Sequence, residues 1–189
     1  MKLRQISMVF FVISFALLSA CTKEHSNEHV IRPFSFVNQY GEAFGTNELE
    51  GSVWIANFMF TNCTSVCPTT SMEMAKIQKE LAEKDLEVEL VSFTVDPEND
   101  SPERLKQYLR HYTDDDSNWH LLTGYTQAEI ERFAHDQFQA MVEKSEDSDQ
   151  IIHSSSFYLI DQNGKIVNKY HYSHHNYLEA LIKDIEKIN

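Results

Sequence analysis

Cys63 and Cys67 are the residues of this chain best equipped for chemistry, set three residues apart in Asn62-Cys63-Thr64-Ser65-Val66-Cys67-Pro68. Two thiols at that spacing can exchange electrons with a disulfide or hold a soft metal ion, and both reactions use the thiolate. A structural disulfide is the common fate of paired cysteines in an oxidising compartment. A bridge over so short a step closes a tiny loop and restricts the unfolded chain little. The pair therefore reads as redox-active or metal-binding rather than as a staple.

The elements that must position these thiols are legible around them. Val53, Trp54, Ile55, Ala56, Phe58, Met59 and Phe60 make a near-continuous apolar run, the pattern of a strand covered on both faces. The run empties into the cysteine loop, and Pro68 suits the first position of a helix over residues 68–84. Cys67 then falls at or beside the N-cap, where the partial positive charge of the helix end favours a thiolate. Met72, Ala75, Ile77, Leu81 and Ala82 lie near one face of that helix; Met72 and Met74 read as core or gap-filling residues before soft-metal ligands.

Further along, residues 87–95 form a central strand that ends in Asp96-Pro97-Glu98-Asn99-Asp100-Ser101-Pro102. Ser101 can cap the next helix there, with Pro102 at its first position. A short strand over residues 119–122 precedes a helix capped by Thr126 with Glu129 in capping-box position. Residues 145–150 read as an acidic, polar break. Then His153-Ser154-Ser155-Ser156 leads into a strand over residues 157–160. Asn163-Gly164 turns the chain into a partner strand, and residues 176–188 close it as an amphipathic helix. Before the cysteine strand, residues 34–37 and 43–46 form a small N-terminal hairpin. A strand-loop-helix unit with a dithiol at the loop, a second strand-helix crossover, then a hairpin and a last helix is the thioredoxin-like α/β plan: a central mixed sheet flanked by helices, here with an N-terminal β-hairpin extension.

The N-terminus sets the compartment. Lys2 and Arg4, the apolar stretch 6–18 and Leu18-Ser19-Ala20-Cys21 read as a leader over residues 1–20. Its core is shorter than the roughly 20 apolar residues of a membrane span. Leu-Ser-Ala-Cys resembles a bacterial lipobox, which makes Cys21 a lipidation site and places the domain on the extracytoplasmic face of a cell membrane. Of the three cysteines, Cys63 and Cys67 then remain as a matched pair. Residues 22–32 are polar and read as a tether after the lipidated Cys21, carrying His25 and His29, with the domain itself over residues 33–189. Without Lys2 and Arg4 the chain has 14 basic against 29 acidic residues, which argues against nucleic acid as a partner.

Three stretches, in order, resemble the Sco/SenC family of membrane-attached copper proteins. Residues 60–68 match its Cys-x-x-x-Cys-Pro signature, residues 94–103 its Val-Asp-Pro stretch with the following helix start, and residues 153–161 its His-Ser segment before a strand. The resemblance covers residues 33–188. It implies a copper site, Cu(I) or Cu(II), made by Cys63, Cys67 and His153. It further implies a metallochaperone or assembly factor for the binuclear CuA centre of cytochrome c oxidase, with the CuA-bearing subunit as partner. Asp96 is a candidate neighbour of the site, with turn capping as its other role. Thr64 stands where many members have proline, and Ile152 where many have an acidic residue, differences that bear on the loop's rigidity and the charge behind the metal.

The donor set agrees with copper on its own terms, since two thiolates and an imidazole suit both oxidation states, whereas structural zinc calls for a fourth protein ligand. The rival reading is a thiol-disulfide oxidoreductase that keeps the CuA-site cysteines reduced; it needs Cys63, Cys67 and a thiol reductant partner, but not His153. His171, His174 and His175 read as surface histidines, with a second weak metal patch as the alternative.

Overall fold

A computed structural model describes residues 29–144 and 149–189. The leader, Cys21 and His25 lie outside the described residues. The centre is a five-stranded sheet in the order β5-β4-β3-β8-β9. Its parallel half is β3 (Trp54–Met59), β4 (Glu89–Thr94) and β5 (Trp119–Leu122); β8 (Ser156–Ile160) pairs antiparallel with β3, and β9 (Ile166–His171) pairs antiparallel with β8 at the far edge. Helices α1 (Cys67–Glu83), α2 (Pro102–Leu109), α3 (Gln127–Phe138) and α4 (Tyr177–Ile188) flank the sheet. The fold is the mixed α/β sheet expected.

All six residues of β3 are buried, as a strand covered on both faces requires. Phe58 packs edge-on against Phe138 and Tyr158, and Phe93 meets Phe34, Phe133 and Phe138, so one aromatic cluster joins the sheet to α3 and the N-terminal hairpin. Asn57 is the polar exception in β3. Its Oδ1 accepts from Ser92 Oγ at 2.6 Å, and Ser92 Oγ accepts from the Trp119 indole at 2.9 Å. The hairpin of β1 (Ser35–Val37) and β2 (Ala43–Gly45) forms as expected. Val37 exchanges both backbone hydrogen bonds with Thr123, at 2.9 and 2.8 Å, which ties the hairpin to the β5 edge.

Caps and turns follow the sequence closely. Ser101 Oγ accepts from the Arg104 N–H, the Thr126–Glu129 capping box is closed in both directions, and Gly164 takes φ +76° in the turn between β8 and β9.

Four expectations are revised. Helix α1 starts at Cys67 with Val66 as N-cap, so Pro68 is its second residue rather than its first. The buried face of α1 is Cys67, Thr70, Ser71, Met74, Ile77, Gln78 and Leu81; Met74 is core, but Met72 is 64% exposed because it lies off that stripe. The segment expected as tether is packed before residue 33: Ile31 is buried and donates to Gly164 O at 2.8 Å, and the Arg32 N–H donates to Gln137 Oε1 at 2.8 Å. His29 is half-buried, with Nε2 2.5 Å from the Gln137 carbonyl. Finally, the polar break is flanked by an unexpected antiparallel pair, β6 (Val142–Lys144) and β7 (Ile151–His153). With three residues per strand and only Val142 and Ile151 buried, the alternation is too short to read from sequence.

Candidate metal centre

Cys63, Cys67 and His153 come together from three separate pieces of structure. β3 carries the chain through Phe60 into a turn closed by the Cys63 N–H on Phe60 O at 3.3 Å. Cys67 opens α1 and is fully buried. His153 ends β7 and faces inward beside Val142, its cross-strand partner. One ligand atom from each residue lies within 4.8 Å of the others, the one such cluster among the described residues. Metal–donor bonds of about 2.0–2.3 Å let two donors of a common ion stand up to about 4.5 Å apart, so the residues present fit a single ion with little adjustment.

The imidazole is set for ligation. His153 Nδ1 is 3.0 Å from the Ser154 carbonyl, which can only accept, so Nδ1 carries the proton and Nε2 presents a lone pair. That Nε2 is 3.1 Å from Cys67 Sγ. The edge of the ring pair with Phe60, 5.7 Å between centroids, fixes its tilt.

The helix end acts on the other thiol from the one expected. Val66 has no side chain to cap α1, and Cys63 Sγ takes that place, accepting the Cys67 N–H at 3.3 Å. Hydrogen bonding from the Cys67 thiol, with further help from the backbone N–H groups of Cys67 and Ser65, holds Cys63 well below the ordinary thiol range. Cys67 is pushed up, first by sharing its proton with Cys63 and then by burial. Cys63 is thus the thiolate and Cys67 the protonated partner, reversing the assignment made from helix position alone.

Asp96 does not join this cluster. It is buried and caps its own turn, its carboxylate accepting both Asn99 Nδ2 contacts at 3.0 and 2.9 Å and the Lys144 ammonium at 3.4 Å. The carboxylate that reaches the cysteine loop is Asp100, fully buried, which accepts from the Thr61 N–H at 3.1 Å and from Thr61 Oγ1 at 2.5 Å. Burial raises the Asp100 carboxyl above its ordinary range against these hydrogen bonds. On the opposite side Gln150 accepts the Thr64 N–H at 3.4 Å and donates to Asn62 O at 3.3 Å. Sequence reasoning missed Asp100, Arg104 and Gln150; the four-residue step from Asp100 to Arg104 across a helix start was the available signal.

The other histidines among the described residues stay apart from the centre. His171 is engaged by Ser155 and Ser173 at 2.8 and 2.7 Å and sits 5.8 Å, ring to ring, from His174. No cluster of three potential ligands includes them among the described residues. His120 packs on Phe44 and bonds Glu89, and His111 and His135 are exposed.

Comparison with known proteins gives the same frame. A SCO1/SenC lipoprotein from Bacillus anthracis shares 46% identity, covers 89% of this chain and 99% of its own, and superposes with a TM-score of 0.82. BsSco, described as a member of the Sco family of cytochrome c oxidase assembly proteins and studied for a disulfide switch, shares 41% identity over 85% of this chain and 94% of its own, with a TM-score of 0.78. ScoI of Bradyrhizobium japonicum, solved with copper bound, shares 26% identity over 85% of this chain and 99% of its own, with a TM-score of 0.69. The SCO1/SenC family model matches residues 22–189, and the chain belongs to that family.

Proposed function

We propose that Cys63, Cys67 and His153 bind copper and that the protein supplies it to the CuA centre of cytochrome c oxidase. One observation carries this reading: two thiols and an imidazole lone pair of fixed tautomer converge on a single point. Sulfur favours Cu(I), while the added nitrogen supports Cu(II), so the donor set serves an ion that must be both held and passed on. The copper-bound ScoI and the assembly role of BsSco support the extension to this chain. In this reading residues 1–20 are removed as a leader, Cys21 carries the lipid, and the domain works on the extracytoplasmic face of the membrane. No helix among the described residues is long and apolar enough to cross a membrane.

The residues divide the task. Cys67, buried on α1, is the fixed donor; Cys63, on the loop, brings the thiolate; His153, on a small hairpin, completes the set. Exchange of thiolates with the cysteines of an acceptor proceeds while His153 withdraws. Incubating the copper-loaded protein with a copper-free CuA domain tests this. Copper should appear in the acceptor and leave the donor, and copper that stays on Cys63 and Cys67 contradicts it.

The electrostatics of the pair also favour a second reading, reduction of the acceptor's disulfide. The Cys63 thiolate would attack one sulfur of that disulfide and expel the other, and Cys67 would then release the reduced product as the Cys63–Cys67 disulfide forms. A thiol reductant must restore the pair. His153→Ala separates the readings, because it removes a copper ligand and leaves both thiols.

A further inference from the structure

Arg104 lies on α2, outside the Cys63, Cys67 and His153 cluster, yet its guanidinium reaches the cysteine loop. Nε donates to Thr61 Oγ1 at 2.7 Å and Nη2 donates to Asn62 Oδ1 at 2.5 Å. The same side chain is the ionic partner of the fully buried Asp100 carboxylate at 3.8 Å. Because Asp100 in turn accepts both the N–H and the hydroxyl of Thr61, the four residues close a ring that ends one peptide before Cys63. A planar guanidinium fixes direction as well as distance, so this ring resists displacement of the loop in any direction.

We propose that Arg104 is a positioning residue that holds the cysteine loop in its open, dithiol arrangement and so sets the redox poise of the Cys63–Cys67 pair. Both cysteines are free thiols in this structure. A disulfide needs its sulfurs about 2.05 Å apart with strict torsional demands. Cys67 is built into a 17-residue helix and fully buried, so closure must come from Cys63 and the loop before it. Moving Asn62 and Thr61 stretches or breaks their hydrogen bonds to Arg104. Those bonds therefore stabilise the dithiol relative to the disulfide. The inference rests on the site proposed above but not on the metal.

The test is a thiol-disulfide equilibrium of the full chain, stripped of metal with a chelator and kept anaerobic, in mixtures of glutathione and glutathione disulfide. The Cys63 thiolate and the Cys67 thiol lose two electrons and one proton as their S–S bond forms; glutathione disulfide takes up both electrons, that proton and one more from solvent as its own S–S bond breaks, giving two glutathiones. Removing two charge-assisted hydrogen bonds in Arg104→Met should favour the protein disulfide by about tenfold. Arg104→Lys keeps a charge beside Asp100 but loses the fork, and should shift in the same direction by about threefold or more. Asn62→Ala leaves the Asp100–Arg104 pair intact and should shift by about threefold with an unchanged melting temperature of the reduced protein. Equilibrium constants within twofold of wild type in Asn62→Ala and Arg104→Lys, or a shift towards the dithiol, overturn the proposal even if Arg104→Met melts earlier. Failure of the wild type to bind copper would remove the proposed function and leave this result standing.

Discussion

The two thiols and the imidazole meet at one point, but the structure supports them in different ways. Cys67 begins a long helix packed on the central sheet, and the loop before it leaves a strand paired on both sides along its first three residues and fully buried along all six. His153 ends a three-residue strand in a two-stranded sheet separate from the main one. Its hairpin is held by two buried side chains, Val142 and Ile151, by Lys144 on Asp96 and Glu98, and by Gln150 on the cysteine loop. Cys67 shares the stability of the helix and sheet that bury it, whereas the imidazole rests, among the described residues, on the local contacts of a short strand pair. On the proposed reading, in which copper is held and then given up, the releasable ligand stands on the weaker support.

That contrast can be broken from either side. Phe58→Ala in β3 should cost about 3–5 kcal/mol in denaturant unfolding while the folded fraction keeps its copper stoichiometry. Next in size is a pH effect at the thiols. Cys63 is held low by its hydrogen bonds, so its thiolate persists as pH falls. Between about pH 8 and 6 its alkylation rate in the metal-free protein should change less than about twofold, while that of the denatured chain falls about 100-fold. The linkage has the matching sign: this group's contribution to stability is fully present above about pH 8.5 and is lost as pH falls towards the folded value. Acid titration of reduced protein against a Cys63→Ala variant reads it directly.

On the hairpin, Ile151→Ala should cost only about 2 kcal/mol but weaken copper binding by about tenfold, because it loosens the strand that carries His153. If it destabilised the fold as much as Phe58→Ala and left copper affinity unchanged, the two supports would not differ. The smallest effect belongs to Lys144→Met. The ammonium is partly exposed and its ion pairs are screened, so stability should drop by less than about 1 kcal/mol, with copper affinity lowered only a few-fold.

Much of this arrangement was legible in the sequence because it rests on strong local rules. The apolar run before Cys63, Pro102 after Ser101, the Thr126–Glu129 box and Asn163-Gly164 each specify a backbone geometry without tertiary help. What could not be read is what depends on distance in space. Helix position alone assigned the thiolate to Cys67; only the placement of Cys63 Sγ over the Cys67 N–H shows that the helix end serves its neighbour. Asp96 and Asp100 are equally plausible carboxylates in one loop, and the turn aims Asp100 at Thr61 while Asp96 folds back on Asn99. The His153 strand escaped notice because three residues carry too little periodicity.

The central claim, a three-ligand copper site, is tested most directly by titrating the reduced protein with Cu(II) beside the His153→Ala variant, followed by visible absorption and electron paramagnetic resonance. The account predicts a thiolate-to-copper charge-transfer band that saturates at one equivalent in the wild type and is lost or much weakened in the variant. Oxidation of Cys63 and Cys67 to a disulfide at the same rate in both proteins, with no such band, would contradict it.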